Sequence, residues 1–435
     1  MTGVMTQQVL HRQISPTVAL RRPLRIAMVT TFYPPCNFGG DGHYVRRLAH
    51  ALVRRGHEVE VIHDADAYHL LSGGVEPEPL AEPEGLILHS LRSSAPALSC
   101  LATQQLGRPL VHGRRIRRIL ARGFDVIHFH NISLAGGPGI LSYGEGIKLY
   151  TAHEHWLVCP MHTLWRHNRE LCTGRQCWRC ALAYKRPPQF WRSGDLLTRE
   201  ACHIDAFIAL SEFSAQKHAE FGFKAPMVVC PSFLPDINAD ERVQAPTEGK
   251  LPYVLFVGRL ERIKGLQEVI PAFDEKSPAE LLIAGSGGYE SHLRALARGR
   301  PVHFLGYQTS ERLRTLYAGA CALIASSVCY EAFPLVVLEA FQLGVPVIAP
   351  RLGPYPEIVE TSRGGVIFQD CHELKAAIHT LATDKRRRER MGNAAKRAFK
   401  ERWSEEVGLK VYLDLIRKMA EKRKISGVQE AFVRA

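Results

Sequence analysis

The chain has 435 residues, of which 46% are hydrophobic and 23% charged, with a formal net charge of +13. That length exceeds what a single core needs and suggests two or three domains, and the composition is globular rather than disordered. No apolar run approaches the ~18 residues of a membrane span.

Residues 1–23 carry Arg12, Arg21 and Arg22 but no apolar core or small-residue cleavage site, so they read as a disordered tail rather than a secretory signal. Short, unbroken β-branched runs then alternate with helical stretches. In the first half they are 25–30, 58–62, 86–91, 125–129, 147–151, 206–210 and 227–230. In the second half they are 253–258, 281–284, 302–305, 322–325, 345–349 and 365–368. Runs without polar alternation suit strands buried on both faces of a parallel sheet, with helices such as 45–54 and 311–318 as crossovers. The Pro- and acid-rich stretch 236–250 reads as a linker between domains at 24–235 and 251–405. From Asp384 to about Lys424 the sequence is strongly helical, and a terminal helix over 406–435 is expected to return to the first domain. The fold class is α/β, with two doubly wound domains facing a cleft. Ligands in such sheets lie beyond the carboxyl ends of the strands.

An insertion at 156–192 carries Cys159, Cys172, Cys177 and Cys180, four of the eleven cysteines, together with Trp156, Trp165, Trp178 and Trp191. Cys177-Trp-Arg-Cys180 is a CxxC, and four thiols in one insertion favour a structural zinc, with His162 as a spare ligand. Free thiols, a disulfide pair and an iron–sulfur cluster stay as alternatives. Without a signal peptide the cysteines fit a reducing compartment, so a cytoplasmic location is expected. Basic clusters at 114–118 and 385–388 fit either solvated helix faces or contact with an anionic membrane at its inner surface. No zinc-finger, RRM or KH pattern accompanies them, which excludes nucleic acid as an expected partner.

Chemistry collects in the strand-end turns. After 253–258 come Arg259 and Lys264-Gly265, two cations beside a glycine turn that suit a diphosphate. Gly285-Ser286-Gly287-Gly288 offers bare backbone for close approach. After 322–325 the chain reads Glu331-Ala-Phe-Pro-Leu-Val-Val-Leu-Glu339, which places one carboxylate in a loop and the second inside the following helix. The two can serve different parts of one ligand, a sugar near the loop and a ribose diol deeper in, while the new helix points amides at phosphate. In the first half, Phe32-Tyr33-Pro34-Pro35 and Gly39-Gly40 follow the first strand. This is not a dinucleotide GxGxxG fingerprint and speaks against a nicotinamide enzyme.

The Glu331–Glu339 spacing, the Gly258-Arg259/Lys264-Gly265 segment, the Gly285/Gly287 turn, the helix-to-strand stretch 344–349 and Pro356–Val359 together resemble the retaining GT-B glycosyltransferases of family 4, the group 1 type. The resemblance covers nearly all of 251–405 and, more loosely, 24–235. It implies a glycosyltransferase that uses a UDP-, GDP- or ADP-sugar and a carbohydrate or lipid-linked acceptor in polysaccharide or glycoconjugate biosynthesis. Arg259 and Lys264 would hold the donor diphosphate, Glu339 the ribose, and Glu331 the donor sugar. Gly40, Gly258, Gly285, Gly287, Phe333, Leu335 and Val336 would complete the donor site. His153, at the end of the strand 147–151, would lie close to the transferred sugar, with Asp125 and His128 as further cleft candidates. The chain departs from many members at Ala332 and Pro334, where they have glycine. With Arg259 and Lys264 stabilising the leaving diphosphate and no DxD dyad that points to a metal-dependent donor site, no catalytic metal is expected. A non-catalytic sugar-nucleotide scaffold, or a phosphorylase or epimerase on the same fold, are the alternative readings.

Overall fold

A computed structural model describes residues 21–237 and 251–432. Most of the expected linker and residues 1–20 of the expected tail lie outside these. Residues 21–23 are held in place: the Arg22 guanidinium spans both carboxylate oxygens of Asp125 at 2.8 and 2.9 Å, and the Arg21 amide donates to the Ala431 carbonyl.

The first domain contains strands β1 (Arg25–Thr30), β2 (Glu58–Asp64), β3 (Leu86–Leu91), β4 (Val126–Phe129), β5 (Ile147–Ala152), a small hairpin β6 (Trp165–Arg166) and β7 (Glu170–Leu171), then β8 (Ala206–Ala209) and β9 (Met227–Val229). Apart from the hairpin they form one parallel sheet in the order β3-β2-β1-β4-β5-β8-β9. The second domain contributes β10 (Tyr253–Val257), β11 (Glu280–Ala284), β12 (Val302–Gly306), β13 (Ala322–Ile324), β14 (Val347–Pro350) and β15 (Gly365–Phe368), parallel in the order β12-β11-β10-β13-β14-β15. Each order reverses once, at β1/β4 and at β10/β13, the point where doubly wound sheets open a crevice. All thirteen expected strands are present, with ends shifted by one or two residues. β1, β4, β5 and β8 are buried almost throughout, which is why their sequences run apolar without alternation.

The helical stretch near the C-terminus divides in two. One helix spans Lys385–Arg402 against the second domain; the next, Glu405–Arg423, crosses to the first. Leu409, Tyr412, Leu413, Ile416 and Ala420 join the core formed by Ile26, Met28, Val45 and Leu48. That helix stops at Arg423 because Lys424 takes a left-handed φ of 55°. The chain then makes one short helical turn, Ser426–Gln429, and buries Val428 and Phe432 in the same core.

Candidate active site

The carboxyl ends of both sheets face a cleft of about 380 Å³. Its first-domain wall is built by Gly40, Asp41, Tyr44 and His153; its second-domain wall by Gly258, Arg259, Lys264, Glu331, Phe333, Leu335 and Val336. Of the residues expected at the donor site, three lie elsewhere. Gly285 and Gly287 pack behind the cleft, where an added Cβ would sit 1.9 Å from the Gly258 carbonyl oxygen and 2.4 Å from that of Leu260. They let the turn after β11 press on the Arg259 turn. Glu339 faces a neighbouring 270 Å³ cavity with Arg47 and Tyr317.

Lys264 Nζ lies 2.6 Å from Glu331 Oε1, which also accepts from Ser327 Oγ at 2.6 Å. Burial would raise the Glu331 pKa, but the lysine and the serine outweigh it and the net shift is downward. Burial likewise acts to lower Lys264, and the carboxylate overrides it, so its pKa ends above the usual lysine range. Both groups are charged at neutral pH. Lys264 is carried there by the turn ending at Gly265, whose φ of 72° and close approach to the Ser326 carbonyl leave no room for a side chain. Arg259 is more exposed and pairs with Glu261 at 2.8 Å.

The helix Leu335–Gln342 follows at once. Pro334 is its N-cap and no side chain caps it, which leaves the first amides directed at the cleft that Leu335 and Val336 line. One turn on, Glu339 accepts from the Tyr317 hydroxyl at 2.9 Å and lies 3.8 Å from Arg47 of the first domain. Burial raises its pKa, with Arg47 and Tyr317 opposing.

Across the cleft, His153 shares a 3.0 Å hydrogen bond with His130, and Tyr44 packs on both rings. Burial pushes His153 down to about 4, with Asp41 opposing, so it is a neutral imidazole at physiological pH. His128 stands behind, its ring 3.9 Å from that of His130 and bonded to Thr151 and to Tyr412 of the returning helix. His128 therefore buttresses the cleft from behind. Asp125, anchored to Arg22 and the Arg25 amide, sits before β4 at the opposite end of that strand.

Sequence reasoning missed Ser327, Tyr317 and Arg47, each of which touches an expected residue. It also missed the role of Glu357, whose carboxylate accepts from the Glu212 and Phe213 amides and so ties the second domain to a first-domain helix. A larger hollow of about 560 Å³ lies along the insertion, around Trp178, Trp191 and Arg192, and contains none of the donor residues. The four insertion cysteines form no disulfides and all border one small cavity. Among the described residues, the one group of three metal-ligand atoms within 4.8 Å of one another is Asp64, Asp66 and His112.

Two family models match this chain, one described as "Glycosyltransferase Family 4" over residues 38–235 and one as "Glycosyl transferases group 1" over 238–398. An uncharacterised glycosyltransferase of Methanocaldococcus jannaschii is 26% identical over 88% of this chain and 95% of its own length. A D-inositol 3-phosphate glycosyltransferase of Pseudarthrobacter chlorophenolicus is 26% identical over 87% and 92%. Among solved structures, sucrose-phosphate synthase from Thermosynechococcus elongatus superposes with a TM-score of 0.68 at 20% identity, covering 92% of this chain and 100% of that one. Anabaena HepE in complex with UDP and glucose gives 0.60 at 18%, covering 90% and 99%. The fold and the cleft are those of a GT-B glycosyltransferase that takes its sugar from a nucleotide donor. The chain belongs to the retaining family 4, the group 1 glycosyltransferases.

Proposed function

We propose that the donor lies across the cleft with its diphosphate between Arg259, Lys264 and the amides of the Leu335–Gln342 helix. The single observation that carries this reading is the Lys264–Glu331 pair, held at one wall of a cleft whose other wall presents the neutral His153. In this arrangement Lys264 and Arg259 offset the charge that develops on the departing nucleotide, so no catalytic metal is required. Glu331 accepts hydrogen bonds from the transferred sugar, and His153 contributes a neutral hydrogen-bonding group near its reacting end. Glu339 takes the ribose diol, which requires Tyr317 and Arg47 to yield or share. The acceptor hydroxyl attacks from the face the nucleotide leaves, which gives retention.

The acceptor is a carbohydrate or lipid-linked sugar that enters along the wall formed by Asp41, Tyr44, Glu154 and Thr163. Among the described residues no helix is long and apolar enough to cross a membrane. Exposed Trp178, Leu182 and Phe190 on the insertion and exposed Leu98 and Leu101, on a first-domain helix that touches it, support peripheral contact with a bilayer. The basic helix Gly113–Leu120 would add attraction to anionic lipid. A thermal-shift screen of UDP-, GDP- and ADP-sugars tests the donor reading, and one base should stabilise the fold well beyond the others. If no sugar nucleotide shifts the transition, the reading fails. Turnover with inorganic phosphate in place of an acceptor would instead favour a phosphorylase.

A further inference from the structure

The insertion between β5 and β8 is poorly equipped to hold its own shape. Its paired strands are two residues long each, and its private core consists of Val158, Cys159, Met161, Leu164, Cys180 and Ala181. Yet its backbone is tightly constrained. Of the seven non-glycine residues with positive φ among the described residues, five (His162, Leu164, His167, Asn168 and Lys185) fall in this one segment. Conformations that L residues avoid persist only where surrounding structure enforces them.

Four cysteines from three local elements border the same cavity, which measures about 20 Å³, a space suited to an ion rather than a metabolite. Cys159 precedes the β6–β7 hairpin, Cys172 follows it, and Cys177 and Cys180 lie on the helix Cys177–Ala183. The His167 amide donates to Cys180 Sγ at 3.3 Å. The sulfurs are not gathered within 4.8 Å of one another in threes, and the Cys172 thiol donates to the Gly174 carbonyl at 3.3 Å. A single χ1 step carries a cysteine sulfur on the order of 3 Å between staggered wells.

We propose that Cys159, Cys172, Cys177 and Cys180 bind one structural zinc ion, which locks the insertion as a rigid wall of the catalytic cleft. All-thiolate coordination with no ligand position left open is the structural rather than the catalytic pattern. The wall function follows from what the insertion touches. His155, His162 and Thr163 line the cleft, and His162 bonds to Glu154 beside them. The Asn168 carbonyl accepts from Arg262, two residues before Lys264, and Tyr330, next to Glu331, packs on the insertion's core. Zinc loss would therefore loosen both the acceptor entrance and the support beneath the donor loop.

The test uses the full chain, purified without a metal-affinity step, with metal content measured directly. About one zinc per chain is expected, falling to roughly a tenth in Cys177→Ser and Cys180→Ser and unchanged in Cys202→Ser, an exposed cysteine outside the cluster. Because a serine variant could fail to fold, the wild-type protein is also stripped with chelator under reducing conditions and titrated with cobalt. Visible absorption of a tetrahedral cobalt–thiolate centre, and shielding of four thiols from a thiol reagent until chelator is added, would support the site. A folded protein with no metal, four reactive thiols and no cobalt spectrum would overturn it, as would iron with acid-labile sulfide in place of zinc.

Discussion

Replacing Lys264 with alanine isolates the interaction on which the donor site rests. At 2.6 Å and an effective dielectric near 20, the attraction between Lys264 and Glu331 is roughly 6 kcal/mol, most of it offset by the desolvation of two charges. The side chains keep 24% and 20% of their exposure, so water can partly reclaim the orphaned carboxylate. The expected loss of stability is accordingly about 2 kcal/mol, below the ~3–5 kcal/mol for breaking a fully buried pair. The functional loss is larger. Removing a charged donor from the leaving group should weaken nucleoside diphosphate binding by about 10-fold to 100-fold and slow turnover by about 100-fold to 1,000-fold. Urea unfolding measures the first, calorimetric titration with UDP, GDP and ADP the second, and nucleotide release from the cognate sugar nucleotide the third. Adding Glu331→Gln should recover much of the stability and none of the turnover. A Lys264→Ala enzyme that binds nucleotide as tightly as the parent and turns over at the same rate would refute the assignment.

Other expectations follow from the same geometry. His153→Ala should lower turnover by about 10-fold to 100-fold while leaving nucleoside diphosphate affinity unchanged; matched losses in both would place His153 at the nucleotide instead. Gly265→Ala should cost about 2 kcal/mol or more, since its Cβ would meet the Ser326 carbonyl, whereas Gly299→Ala, at a similar φ of 71° with open space around it, should cost about 1 kcal/mol. Equal effects would remove the close-approach argument. Burial raises Asp64 from 3.8 to about 7, and its Oδ2 has no hydrogen-bond partner. Because the folded value exceeds the unfolded one, its contribution is fully present below about pH 4 and is lost as pH rises through 7. Asp64→Asn keeps a good N-cap for the helix Ala65–Leu71, so it should match the wild type near pH 4 and exceed it by about 4 kcal/mol at pH 8. A constant difference across that range would show that Asp64 is ionised throughout.

The sequence was most legible where a single physical requirement acts on a contiguous stretch. β1, β5 and β8 are mostly apolar because helices cover both faces of their sheet, and their positions could be read to within a residue or two. The positions of Lys264, Glu331 and Glu339 were legible because each lies at a fixed offset from a strand end, though Glu339 faces the neighbouring cavity rather than the cleft. What joins them was not. Tyr317 and Arg47 reach Glu339 from 22 residues away and from the other domain, and nothing in local spacing announces either. Ser327 was within reach of inspection, four residues before Glu331 in the same turn. The interruption of the terminal helix was also signalled: Ser404 followed by Glu405 and Glu406 is an N-terminal pattern, and Trp403 is fixed there by the Leu234 amide on its carbonyl. The glycines after β11 were expected, as a strand-end turn, to offer bare backbone to the donor, and in the structure they lie against the Gly258 and Leu260 carbonyls of the Arg259 turn. A glycine reports close approach without saying what approaches.

The central claim is that the paired walls of the cleft bind a sugar nucleotide and release its nucleoside diphosphate through Lys264. The most direct measurement is nucleoside diphosphate release from a panel of UDP-, GDP- and ADP-sugars, run side by side with wild type and Lys264→Ala. Release confined to donors of one base and abolished by the substitution is the predicted result. Release that survives the substitution undiminished, or a wild-type protein that neither binds nor turns over any of these donors, would contradict it.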